Sequence, residues 1–270
     1  MKIFDTHTHF DVSDFDTDRH VLACDAKQAG VDGLVLIGIT RQRFDVLWQT
    51  HQWLLEHPDI FPRSYFAPGL HPFYIEEHHQ DDLHTLEHHL QQNACVAIGE
   101  IGLDTFLKQH RVPEIYQQQK YFFNAQLELA KQYNKPVLLH IRKAHADVLQ
   151  MIKAQRFTHG GIAHAFSGGI EEAKAFIKLG FKLGITGQIS NPNAKKLHRV
   201  VQEVGLTHLV IETDCPDMTP LCCQQSETSH TRNVPANLVY VCQSLADTLG
   251  MNIQTVEQQL WQNSMTALQL

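Results

Sequence analysis

Phe4-Asp5-Thr6-His7-Thr8-His9-Phe10 closes the first apolar run of the chain, which begins at Met1. If the run is a strand, residues two apart point to one side, so His7 and His9 share a face. Beyond the strand end the chain bends, and both imidazoles can turn toward one point, which suits a cation such as Zn²⁺. A His-x-His triplet also arises by chance in a chain with 19 histidines. Its weight comes from its place in a repeating plan. An open, doubly wound sheet would usually carry a glycine-rich phosphate loop after its first strand; here His-x-His stands there instead.

Outward from this stretch, a short apolar run followed by a helix-like segment recurs eight times. Strands are expected at about 2–5, 33–37, 65–69, 96–99, 137–140, 161–164, 182–185 and 209–212. Helices are expected at 18–28, 43–56, 81–92, 113–133, 144–155, 171–179 and 193–204. Gly30, Gly180 and Gly205 supply stops of the C′ type, and Pro113 opens its helix near the first turn. A loop over 215–234, rich in Thr, Ser, Pro and Gln, precedes helices at 235–249 and 254–268. The segment 33–37 is nearly all apolar, as a strand covered on both faces should be. Eight such units in this order and length predict an α/β fold, a (β/α)₈ TIM barrel. No stretch reads as a linker, so residues 1–270 are expected to form one domain.

At 270 residues and 43% hydrophobic, the chain can bury a large core. It has no run of about 18 apolar residues and no basic segment leading into an apolar one, so no membrane span or signal peptide is expected. A cytoplasmic protein without an obligate protein partner is expected. The six cysteines show no Cys-x-x-Cys spacing and read as reduced thiols, with the role of Cys222-Cys223 open. A net charge of −7 excludes a general polyanion-binding surface, so attraction to a nucleic acid must be local.

Candidate ligands recur at the C-terminal ends of the predicted strands, the rim where barrel active sites lie. His7 and His9 follow the first strand and Glu100 the fourth; His140 ends the fifth and His164 the sixth; Asp214 follows the eighth. A lone His at a strand end is usually a satisfied polar group, and an Asp or Glu there is often a helix cap. Six on five strand ends is a different matter. Four imidazoles and two carboxylates exceed what one tetrahedral Zn²⁺ needs, and fit two cations about 3.5–4 Å apart with one carboxylate bridging. Glu212 reads as structural or as a brace behind a ligand. His78, His79, His84, His88 and His89 read as a solvated helical face, Gln117-Gln118-Gln119 as surface, and Phe122, Ala125 and Leu129 as helix-to-barrel packing.

At this point the chain resembles the TatD family of metal-dependent deoxyribonucleases, within the amidohydrolase-like barrels. The matching pieces are Asp5-Thr6-His7-Thr8-His9, Gly69-Leu70-His71-Pro72 and Gly99-Glu100-Ile101-Gly102-Leu103-Asp104. Gln119-x-x-Phe122-x-x-Gln126-x-x-x-Ala130, Leu139-His140-x-Arg142, His164-Ala165-Phe166-Ser167-Gly168, Glu212-Thr213-Asp214-x-Pro216 and Arg232-Asn233-Val234-Pro235 complete the set. The resemblance implies that His7, His9 and Asp214 hold one metal, His140 and His164 the other, and that Glu100 bridges them. It implies Asp214 and Glu100 as catalytic residues, and His71 and Arg142 at the substrate's phosphate. Departures fall on the substrate-facing loops: Thr105-Phe106 follows Asp104, Ile141 and Lys143 flank Arg142 where Ser and Asp often stand, and Asp217 follows Pro216.

The implied activity is metal-dependent hydrolysis of DNA phosphodiesters, of the 3′-5′ exonuclease kind, on single strands, ends or short oligonucleotides. Four imidazoles favour two Zn²⁺, with Mg²⁺, Mn²⁺ or Ni²⁺ as substitutes. Another hydrolase on the same barrel would take an amide, lactone or aminoacyl ester. A metal buffer would have no need of His71 and Arg142, and a structural zinc site would be closed.

Overall fold

A computed structural model describes residues 2–92, 94–226 and 231–270. Part of the loop read over 215–234 therefore lies outside the described residues. Strands and helices alternate: β1 (Ile3–Thr8), α1 (Arg19–Gln28), β2 (Val31–Ile37), α2 (Phe44–Leu55), β3 (Arg63–Ala67), α3 (Gln80–Gln92), β4 (Ile98–Asp104) and α4 (Pro113–Gln132). They continue as β5 (Val137–Arg142), α5 (His145–Ala154), β6 (Gly161–Ala163), α6 (Ile170–Lys178), β7 (Phe181–Ile185), α7 (Lys195–Val204), β8 (Leu209–Ile211), α8 (Leu238–Leu249) and α9 (Ile253–Leu268).

All pairings are parallel, in the order β1-β2-β3 and β4-β5-β6-β7-β8. Two seams join these runs into a ring. Between β3 and β4, Phe66 bridges Cys95 and the Gly99 N–H donates to Pro68 O at 3.0 Å. Between β8 and β1, the Asp214 N–H donates to His7 O at 2.9 Å and the His9 N–H to Cys215 O at 3.0 Å. The result is the (β/α)₈ barrel, with the C-terminal ends of all strands on one rim.

The inside of the barrel is filled by Phe4, Val35, Ile37, Ala67, Leu138, Ile162 and Val210, an apolar plug beneath that rim. Trp261, Ala267 and Leu268 of α9 pack against it, with the Trp261 ring edge-on to Phe4 at 5.6 Å. The N-terminal mouth is thus covered by α9, and the open mouth is the one where the ligand-type residues end. No helix among the described residues is long and apolar enough to cross a membrane.

Two readings of the histidine-rich stretch are corrected. His78 and His89 are buried. His78 lies before α3 begins, at the end of the short helical turn Pro72–Glu77, and its Nε2 donates to His71 O at 2.8 Å. His89 turns onto the rings of Phe44 and Phe66. Only His79, His84 and His88 of the five are exposed.

His51 of α2 is a buried histidine remote from the rim. Ser64 Oγ donates to His51 O at 3.0 Å, so the ring's Nδ1–H must donate to Ser64 Oγ at 2.8 Å. Burial pushes its pKa down to about 4 from 6.5. Between those values the unfolded chain takes up a proton that the folded one refuses, so this group removes stability as pH falls through that window and does nothing above it. Replacing His51 by Gln should remove up to one proton from the acid-side slope. The check is urea midpoints of parent and variant from pH 7.5 to 4.5: their difference should be flat above about pH 6.5 and change below it.

Candidate metal centre

β1 runs four residues beyond its apolar part, which ends at Phe4, so His7 and Thr8 still lie in the strand. β4 and β5 likewise continue through Glu100 to Asp104 and through His140 to Arg142. Asp214 sits just past β8 with φ of 54°, a left-handed turn that few non-glycine residues adopt. All six candidate ligands converge on this rim.

Glu100 is their centre. Its Oε2 lies 3.1 Å from His7 Nε2 and 3.6 Å from His9 Nε2. Its Oε1 lies 2.7 Å from His140 Nδ1, 3.3 Å from His71 Nε2 and 3.9 Å from His164 Nε2. Asp214 spans the same space: Oδ1 is 3.7 Å from His7 Nε2 and 3.6 Å from His9 Nε2, and Oδ2 is 3.5 Å from His164 Nε2. Ligand atoms gather into three groups, His7 with Glu100 and His164, His7 with His9 and Asp214, and His71 with Glu100 and His140. The ring of His164 stacks on His7 at 3.5 Å, so here it groups with His7 rather than with His140.

The far sides of the rings show why their near sides are free for a cation. His9 Nδ1–H donates to Ile37 O at 3.3 Å. His140 Nε2–H faces Asp104 Oδ2 at 2.9 Å. His164 Nδ1 lies 2.9 Å from Glu212 Oε1, at ion-pair distance though outside hydrogen-bond geometry. Such outer partners fix the tautomer and turn the other nitrogen's lone pair inward. His7 Nε2 and His9 Nε2 then stand 3.4 Å apart. Lone pairs at that spacing repel unless a proton or a cation lies between them.

Electrostatics say the same. Burial opposes ionisation of Glu100, but the surrounding imidazoles hold its pKa well below the usual range. Asp214 is lowered against burial by His164, His7 and His9. In return, and also against burial, carboxylates raise the pKa of His9, His140 and His164, while burial and His164 lower that of His7. A buried carboxylate and a second one largely covered demand positive charge, which protons on the rings or divalent cations can supply. These residues fit a metal pair.

His71 is chemically different. The Phe73 N–H donates to its Nδ1 at 2.9 Å, and burial pushes its pKa down to about 4. A neutral ring whose Nδ1 accepts must carry its proton on Nε2. His71 therefore presents an N–H donor to the site, not a lone pair, as an oxygen of a substrate would require. Arg142 stands further out, half-exposed, with Nη1 3.8 Å from Asp104 Oδ2. The rim surrounds a cleft of about 1000 Å³ lined by His9, His71, Glu100, His140, Arg142 and Asp214 among others.

Residues outside the ligand set do the bracing: Asp104 and Gln119 were not expected in that role, while Glu212 takes the place behind His164 that the sequence allowed it. Asp104 is wholly buried and accepts from His140 and, at 2.7 Å, from the Phe106 N–H. Gln119, read as surface, is buried on α4: its Oε1 accepts from the Asp104 N–H at 2.8 Å and its Nε2 donates to Asp104 O at 3.0 Å. Glu212 also accepts from the Ala165 N–H at 2.6 Å, and β7 makes room for it at Gly184, where a Cβ would stand 2.2 Å from its Oε1. Asp5 accepts from Thr213 N at 2.9 Å and Thr213 Oγ1 at 2.5 Å, which ties β1 to the turn bearing Asp214.

The sequence profile of the family described as TatD related DNase matches residues 4–269. An uncharacterized metal-dependent hydrolase of Haemophilus influenzae is 32% identical over 98% of both chains. The 3′-5′ ssDNA/RNA exonuclease TatD of Pantoea ananatis is 30% identical over 97% of both. The crystal structure of YjjV, a TatD homologue from Escherichia coli K12, superposes with a TM-score of 0.87 at 31% identity, covering 99% of this chain and 98% of that one.

Proposed function

From the premise that the chain belongs to the TatD-related DNase family and is a metal-dependent hydrolase, we propose that it hydrolyses phosphodiester bonds at single-stranded or frayed nucleic-acid ends, with two divalent metals, preferably Zn²⁺. The observation that carries the reading is Glu100. One buried carboxylate turns Oε2 to His7 and His9 and Oε1 to His140, the disposition a bridge between two cations requires. His7, His9 and Asp214 would hold one; His140 and His164 would hold the other, because His164 Nε2, though its ring stacks on His7, faces the same Glu100 Oε1 as His140 does, at 3.9 Å. When bound, such a pair supplies Lewis-acid charge for the phosphoryl oxygens and acidity to water.

The chain's own groups do the rest. Asp214, one-sixth exposed, can orient the attacking water and accept its proton. His71 Nε2–H donates to a phosphoryl oxygen, where negative charge grows. The −7 net charge leaves few phosphate contacts for a long duplex, and a recessed mouth favours a strand end. We place all of this on one domain, residues 1–270, acting in the cytoplasm without an obligate protein partner.

The test is a panel of single-stranded, duplex and closed circular DNA, RNA, phosphomonoester, carboxyl ester, lactone and amide substrates. Chelation should abolish phosphodiester cleavage, a divalent cation should restore it, and the apo form should melt earlier, since a ligand of the native state alone stabilises it by mass action. Full activity in a verified metal-free sample, or turnover confined to esters or amides, defeats the proposal.

A further inference from the structure

Arg142 and His71 stand at different depths. His71 Nε2 is 3.3 Å from Glu100 Oε1. Arg142 is reached only through intermediaries: Glu100 to His140 Nδ1, His140 Nε2 to Asp104 Oδ2, and Asp104 Oδ2 to Arg142 Nη1 at 3.8 Å. The guanidinium is therefore on the outer side of the candidate ligand His140, not over the carboxylate that the imidazoles surround.

There it is not alone. The Arg142 guanidinium carbon lies 3.9 Å from the centre of the Phe106 ring, and Lys143 Nζ lies 4.9 Å from the same centre. Phe106 is a large apolar side chain left 44% exposed at this lip. Its backbone is pinned: the Phe106 N–H donates to Asp104 Oδ1 at 2.7 Å, Arg111 Nη2 donates to Phe106 O at 2.8 Å, and Arg111 Nε donates to Thr105 O at 2.6 Å. Lys143 has φ of 56°, and its carbonyl accepts from Thr105 Oγ1 at 3.0 Å. A ring face attracts cations without neutralising them. Two like charges gathered near one ring repel each other, and an anion that neutralises them relieves that repulsion. Arg's fork and Lys's mobile ammonium are both phosphate ligands. No carboxylate among the described residues pairs with Lys143.

We infer that Phe106, Arg142 and Lys143 form a seat for a second phosphate, the neighbour of the one being cleaved. The inference rests on the phosphodiester reading and sharpens it: the site selects substrates with at least two phosphates along a strand, an oligonucleotide over a single diester. It also divides two roles, with His71 at the reacting phosphate and Arg142 with Lys143 at the next one outward.

The experiment compares thymidylyl-thymidine, with one phosphate, and tetrathymidylate, with several, on the metal-loaded parent, Lys143→Gln and Phe106→Leu. Binding is read by calorimetry across salt concentrations, and turnover as kcat/KM. Removing one phosphate-neutralising cation should make the log–log salt slope for the tetramer shallower by about 0.7 in Lys143→Gln. The tetramer-to-dimer ratio of kcat/KM should fall by at least about 5-fold in Lys143→Gln, the scale of one charge-assisted contact. Phe106→Leu keeps both cations but frees them, and should lower the same ratio. Slopes and ratios equal to the parent's, in variants with unchanged circular dichroism, overturn the seat. A parent that cleaves neither substrate yet keeps the Lys143-dependent slope supports the seat and overturns the phosphodiester reading instead.

Discussion

Asp214→Asn should turn over phosphodiesters at least about 10²-fold more slowly than the parent, because general-base assistance is typically worth 10²–10⁴-fold. The fold should survive. The backbone link from Asp214 N–H to His7 O does not involve the side chain, and the left-handed φ of 54° is one that Asn tolerates well. Asn keeps an oxygen near His7 and His9 but cannot take a proton from water, and its amide faces the histidines with a donor where one of two carboxylate oxygens stood. One metal should weaken while the other stays. The check is turnover of a chromogenic diester beside metal content per chain. A variant that keeps two metals and runs within a few fold of the parent rate would show that Asp214 has another role.

Glu100→Gln should fail differently and more completely. Both Glu100 oxygens are engaged, the side chain is 2% exposed, and five imidazole nitrogens lie within 4 Å of it. Removing its charge takes away the shared attraction for both cations at once. Outer partners of metal ligands already cost 10–100-fold in affinity when lost, so a direct bridge should cost more than about 10²-fold. Both metals should leave together in a titration, without the one-metal plateau expected for Asp214→Asn. Metal analysis along a chelator series, run on both variants side by side, reads the difference. Two metals retained at near-parental affinity would rule out the bridge.

Much of this was legible from the residues. His7, His9, Glu100, His140, His164 and Asp214 stand out because a barrel sends successive strand ends to one rim, so a pattern along the chain becomes a cluster in space. The reach of the strands was less legible. The apolar signal stops at Asp5 and Gly99, yet β1 runs to Thr8 and β4 to Asp104. Polar residues end a hydrophobic pattern without ending a ladder, provided each finds a partner, as Asp5 does in Thr213 and Asp104 in His140. Partnerships across the chain had no local signal. Gln119 sits in a run of three glutamines that reads as surface, and only the docking of α4 against β4 reveals that it grips both the backbone N–H and the backbone carbonyl of Asp104. His78 and His89 were hidden by their exposed neighbours, since five histidines in twelve residues look alike until the turn before α3 and the buried face of α3 separate them.

The seam between β1 and β8 has a consequence for how such a protein is made. Asp5 is bonded to Thr213, and His7 to Asp214, across more than two hundred residues of chain. During synthesis His7, His9 and Glu100 leave the ribosome long before Asp214 exists, and the ring cannot shut until the eighth strand arrives. A growing or truncated chain has loose histidines but no finished centre. Hydrolytic capacity thus waits for the eighth strand, with the closing of the barrel as the event that arms it.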